Sequence, residues 1–188
     1  MTKRVPYSNY LERPNQDNGP LFNSVKKKEN NENKKDSGFF WGKLYGRGEI
    51  KFKNGDQYVG DFKDGKRSGW GKMVYENLKT ESEAFDSGVY EGYWKWGKRD
   101  GHGKMSWADG SMFEGEWKFD KRVIGTMILS DQSVYKGPFK DEMFHGQGEL
   151  KLSTGVTYIG QFTQGKIFWS GKLVFPNGNV YEGQLDEF

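Results

Sequence analysis

The sequence predicts an all-β fold: an elongated, single-layer antiparallel sheet of consecutive hairpins, preceded by an irregular arm. Three observations carry this reading. First, an aromatic residue followed two positions later by glycine opens a recurring unit. It stands at Tyr58 (YVGDF), Tyr90 (YEGYW), Phe113 (FEGEW), Tyr135 (YKGPF), Tyr158 (YIGQF) and Tyr181 (YEGQL), at spacings of 32, 23, 22, 23 and 23 residues. A fixed period of this length marks a repeat architecture. Second, apolar and polar side chains alternate within each unit, the period of a half-buried strand. Third, only 34% of residues are hydrophobic, yet 16% are aromatic and 27 of the 188 are glycine. That suits a thin sheet with a few large side chains better than a thick core.

Taken in order, residues 1–36 form a basic arm. They hold three of the five prolines, the run KKKENNENKKDS, and eight Lys/Arg against five acids, which accounts for the chain's net charge of +3. Such a composition buries too little apolar surface to offset the entropy of ordering, so the arm reads as disordered in the free protein. Tyr7, Tyr10, Leu11, Leu21 and Phe22 are anchor-sized exceptions, the pattern of a segment that folds on a partner.

Residues 37–188 read as the sheet. The 23-residue register extends back to Lys35, whose unit is degenerate at first but carries Gly42, Gly46, Gly48 and Gly55 in place. In each unit, strand one covers positions 1–6 and strand two about 12–18. Positions 1 and 3 share a face, giving Tyr58 with Gly60, Tyr90 with Gly92, Phe113 with Gly115, Tyr135 with Gly137, Tyr158 with Gly160 and Tyr181 with Gly183. Positions 14, 16 and 18 repeat the alternation, as in Gly103, Met105 and Trp107. Glycines at 3 and 14 are expected to let aromatic rings lie flat against the backbone. About a dozen strands at ~4.8 Å spacing make a ribbon roughly 55 Å long, its apolar face partly covered by something outside the sheet. Two units are irregular. The one at Tyr58 carries an acidic surplus within Glu76–Val89, with a short helix expected at Leu78–Phe85. The one at Phe113 is a residue short where Lys121, Arg122, Val123 and Ile124 replace a glycine-bearing turn. The last strand leaves an open sheet edge, which invites pairing, including with a second copy.

The pattern Y-x-G-x-[WF]-x-x-G-K-x-x-G-x-G, followed by a D-G or N-G turn, resembles the MORN repeat over about four-fifths of the chain. The resemblance implies successive hairpins in one elongated, twisted sheet, and groove binding of helical or extended peptides. It further implies a non-catalytic module, commonly found in axonemal and cortical cytoskeleton proteins, for which lipid binding has also been proposed.

No catalytic constellation is visible. Both histidines, His102 and His145, fall in Gly-His-Gly at the same repeat position, and no Ser or Asp has a histidine to activate it. With no cysteine, thiolate chemistry and Cys-based zinc sites are excluded and an intracellular address is expected. No cofactor, metal or nucleic-acid partner is expected. Neither a membrane-spanning run nor a signal-peptide core is present.

Two binding features emerge from the register. Positions 9 and 10, at the tip of the within-unit turn, supply Lys43, Lys66, Arg67, Lys98, Arg99, Lys121, Arg122 and Lys166, expected to form a basic stripe along one edge. Aromatics outside the stacking positions, namely Trp41, Trp70, Trp96, Phe119, Phe144, Phe168 and Trp169, crowd that edge as expected interface anchors. The expected function is a scaffold docking protein partners, tubulin-associated or otherwise axonemal, in the cytoplasmic cytoskeleton and the axoneme of a cilium or flagellum. The alternative is a peripheral module binding anionic phosphoinositide lipid through the basic edge.

Overall fold

A computed structural model describes residues 38–40, 43–76 and 87–184, which build one open antiparallel sheet. Its strands are β1 (Gly38–Phe40), β2 (Lys43–Lys51), β3 (Gln57–Lys63), β4 (Lys66–Tyr75), β5 (Gly88–Lys95), β6 (Lys98–Trp107) and β7 (Met112–Lys118). They continue as β8 (Lys121–Ile128), β9 (Val134–Lys140), β10 (Met143–Phe144), β11 (Gly146–Lys151), β12 (Thr157–Thr163), β13 (Lys166–Val174) and β14 (Val180–Gln184). Each strand pairs with its successor, except that two-residue β10 pairs with β9 and β11 then pairs with β9 further along. The arm with its apolar anchors, and the helix expected at Leu78–Phe85, lie outside the described residues.

Two kinds of turn alternate, and local chemistry separates them. Between units, Phe52, Trp107, Leu129, Leu152 and Phe175 each accept a hydrogen bond from the amide three residues on. The donor is a left-handed glycine (Gly55, Gly110, Gly155, Gly178) or Gln132. This is a type I turn closed by a left-handed residue. Asn54, Asp109, Asp131 and Asn177 brace it by accepting from the amide two residues ahead, at 2.8–3.2 Å. Within units, the two-residue turns have both residues at positive φ: Asp64–Gly65, Trp96–Gly97, Phe119–Asp120, Asp141–Glu142 and Gln164–Gly165. Both being left-handed is the type I′ geometry that matches the twist of a hairpin.

The unit at Phe113 keeps its turn, contrary to expectation, and loses its residue from a bulge instead. In the preceding unit, Gly92 pairs with Gly103 and Trp94 with Arg99, so Tyr93 faces three residues. In the short unit, Glu116 pairs with Ile124 and Trp117 with Arg122, leaving only Val123 unpaired. A bulge absorbs a deletion because its extra residues take no part in the ladder.

The two faces differ in chemistry. On one, twelve glycines (48, 60, 71, 92, 103, 115, 125, 137, 148, 160, 171 and 183) line up straight across the sheet. At all but Gly48 the reason is close approach. A Cβ on Gly103 would sit 2.2 Å from the Tyr90 hydroxyl oxygen, and one on Gly92 at 2.6 Å. One ring therefore lies flat over two glycines, the one two residues ahead in its own strand and that glycine's partner across the hairpin. Flattened in this way, the Tyr58, Tyr90, Tyr135, Tyr158 and Tyr181 hydroxyls each donate to the carbonyl three residues on, at 2.7–3.0 Å.

Beside the glycines runs a zigzag of rings: Phe62, Tyr58, Trp94, Tyr90, Trp117, Phe113, Phe139, Tyr135, Phe162 and Tyr158. Successive centroids are 5.0–5.5 Å apart and successive planes 82–89° from parallel. Each edge-to-face pair is worth about 0.5–1.5 kcal/mol beyond area burial. Four of these nine contacts join one unit to the next, so the ladder is also what stacks the repeats. Its rings are buried, with Tyr58, Tyr90, Phe113 and Tyr135 at 0% exposure. The apolar face thus covers itself along these units, and the outside cover expected from a single-layer sheet is not needed there. It opens over the C-terminal units, where Leu152 is 39%, Ile167 42% and Tyr181 45% exposed.

The opposite face is solvated. Lys72, Glu91, Lys104 and Glu114 oppose one another in turn across β4 to β7, with Lys72 and Glu91 at 2.8 Å. Alternating charge in cross-strand register favours this pairing and no other.

Candidate functional site

The edge bearing the within-unit turns is built by residues that face inward as well as outward. Arg67, Arg99 and Arg122 pair across their hairpins with Phe62, Trp94 and Trp117, so all three point to the aromatic face. Their guanidinium groups lie over the rings of Trp94, Trp117 and Phe139 in the next unit, at 4.4, 4.2 and 4.9 Å. Each also grips that unit's turn. Arg67 donates to the Gly97 carbonyl at 2.7 Å, Arg99 to the Asp120 carbonyl at 3.1 Å, and Arg122 to the Glu142 carboxylate at 2.6 Å. Arg122 is 4% exposed. The expected basic stripe is corrected accordingly: these arginines are inter-repeat clamps, because cation–π contact and turn carbonyls outweigh hydration once the group packs on a ring.

Phe144 is a second correction. It occupies the same repeat position as the arginines, stacks on Tyr135 at 3.7 Å and is buried, so it is core and no surface anchor. An uncharged ring replaces the guanidinium there and fills the same space.

The lysines do reach solvent. Lys66, Lys121 and Lys166 are exposed and Lys98 is half-buried. Three turns carry a lysine on either side, and the pairs face each other directly: Lys63 with Lys66, Lys95 with Lys98, Lys118 with Lys121. Like charges in cross-strand register destabilise a hairpin. Lys118 is partly compensated by Asp100 at 3.2 Å.

Of the expected aromatic anchors, Trp70, Trp96, Phe119 and Phe168 are exposed at 45–54%. They do not form one cluster. Trp70 lies on the solvated face, edge-to-face with Tyr93 at 5.3 Å. Trp96 and Phe119 occupy the first position of two successive within-unit turns, at φ of 55° and 48°. Bulky side chains are rare in that conformation, which glycine, asparagine and aspartate favour. Trp41 lies outside the described residues, as do the side chains of Lys43 and Trp169.

The sequence reading missed Tyr93, Val123 and Ile124, all exposed on or beside this edge. For Tyr93 a signal existed. It stands at repeat position 4, where other units carry Asp61, Glu116, Pro138 and Gln161, so an aromatic there answers no need of the hairpin. Among the described residues, no group of three or more His, Asp or Glu is placed to hold a metal.

Stacked hairpins with a glycine spine and a self-covered aromatic ladder define a repeat protein of the open-sheet kind. The family model of the MORN repeat matches residues 58–78, 90–112, 113–134, 135–157 and 158–180, more than half of the chain, and the chain belongs to that family. MORN repeats are generally modules that bind proteins or membranes, and proteins built of them are typically non-enzymatic. Among solved structures, one similar chain is the TCP domain of SAS-4 (dCPAP) of Drosophila melanogaster, in complex with a proline-rich motif of Ana2 (dSTIL). The identity is 15%, each chain is covered over 77%, and the TM-score is 0.46. No curated protein matches the sequence significantly.

Proposed function

We propose that this chain is a non-enzymatic scaffold that docks protein partners within a cytoskeletal assembly, in the axoneme of a cilium or flagellum. One observation carries the docking part. The aromatic face buries itself, whereas Trp96 and Phe119 stay exposed in a backbone conformation that disfavours them. Residues kept against local preference mark functional positions. The lysines beside them suit an acidic surface such as a filament tail. The axonemal setting rests on the settings of similar repeats.

Anionic membrane is the competing reading, and the lysine edge favours it. Against it, neighbouring turns present Asp64 and Asp141, so a flat anionic surface laid along the edge meets carboxylates as well. Proximity labelling by the tagged full chain, paired with vesicle co-sedimentation, tests the proposal. Filament-associated proteins should be labelled, and the chain should stay in the supernatant of phosphatidylserine vesicles. Salt-sensitive pelleting with those vesicles, and labelling confined to membrane proteins, would overturn it.

A further inference from the structure

We infer that the two turns Lys95–Lys98 and Lys118–Lys121, with the Trp70–Tyr93 pair beside them, form a docking site for an acidic peptide segment carrying bulky apolar side chains. The inference rests on the docking reading above and deepens it.

Three observations independent of family carry it. Each turn sets an exposed aromatic between two lysines that oppose one another across the hairpin. Left-handed Trp and Phe and like-charge pairs both oppose the hairpin locally. An acidic, apolar ligand answers both, placing carboxylates between the lysines and side chains against the rings.

Spacing fits a chain molecule. Trp96 and Phe119 lie two strands apart, roughly 10 Å, the span of three residues of an extended peptide. The exposed aromatics also turn a corner, from the tip at Trp96 onto the solvated face at Tyr93 and Trp70. A segment can follow that corner, whereas a bilayer plane meets only the tips.

Charge limits the footprint. The turn before this pair carries Asp64 and the one after carries the exposed Asp141, its Glu142 being taken up by Arg122. The combination of lysine pair and exposed aromatic is therefore confined to two adjacent turns. That is a site for a short segment and a poor one for an extended anionic surface.

Selection of displayed random short peptides on the full chain tests this, followed by fluorescence anisotropy with the enriched peptides. Enrichment of Asp/Glu together with Leu, Ile, Phe or Trp is expected, with affinity falling as salt rises. Trp96→Asn combined with Phe119→Asn should weaken binding about tenfold or more. The same variant should melt at the same temperature or higher, because asparagine accepts the left-handed turn position. A lower Tm would make the aromatics structural and overturn the proposal. Enriched peptides that are not acidic, or that bind the double variant as well as the parent, would remove this site while leaving docking elsewhere intact. No enrichment, with pelleting on mixed phosphatidylcholine–phosphatidylserine vesicles, would remove both readings.

Discussion

At the scale of the residue, the glycine row and the tyrosines are one device. Gly103→Ala places a methyl 2.2 Å from the Tyr90 hydroxyl oxygen, a contact that must displace the ring. A loss of about 1–3 kcal/mol is expected by chemical denaturation, the usual range for overpacking. Gly97→Ala, at a turn tip with open space, should cost only its left-handed strain of about 1–2 kcal/mol. The same tyrosines make stability sensitive to alkali. Burial pushes the Tyr58, Tyr90, Tyr135 and Tyr158 phenols up, Tyr135 to about 12, from an ordinary 10.0. A pKa raised on folding contributes stability that is complete below the unfolded value and is lost as pH climbs beyond it. Melting temperature should therefore hold from neutral pH to about 10 and fall above it. The sequence showed that glycines 92 and 103 make room for rings, since every unit repeats them in register. Whose ring fills the space was not legible, because that depends on a flat rotamer and a hydrogen bond to the residue 93 carbonyl.

At the scale of the element, the arginine clamps hold hairpin to hairpin. Glu142→Gln should cost about 2–3 kcal/mol by leaving buried Arg122 without its carboxylate, somewhat less than a fully buried pair because Glu142 retains 17% side-chain exposure. The chain itself offers the apolar alternative in Phe144, whose partner turn is Gln164–Gly165. Arg122→Phe combined with Glu142→Gly should accordingly fall within about 1 kcal/mol of the parent in urea unfolding. A charge at a turn tip usually faces solvent, so sequence alone points these arginines outward. Their inward direction follows from cross-strand register, with position 10 opposite position 5. Bulges of one or two residues hide that register from simple alternation. The turns themselves were legible wherever Asp-Gly or Asn-Gly occurs, and less so where Gln132, Asp120 or Glu142 stands in for glycine.

At the scale of the whole molecule, each unit touches only its neighbours, so stability should vary along the sheet as a sum of unit and interface terms. Native-state hydrogen exchange should find β5 to β9 most protected and β14 least, since Val180 and Tyr181 are 54% and 45% exposed. Uniform protection would contradict a nearest-neighbour sheet. The all-β hairpin architecture was legible in the sequence from the period alone, whereas the self-sufficiency of the aromatic face was not, because a ladder between units appears only once the rings are placed. That self-sufficiency moves the functional question from the apolar face to the turn edge. The most direct test is proximity labelling in the native cell by the tagged full chain beside its Trp96→Asn/Phe119→Asn variant, with Tm measured on both. Loss of the parent's labelled proteins at unchanged or raised Tm is predicted; an identical labelled set from both chains would contradict docking at this edge.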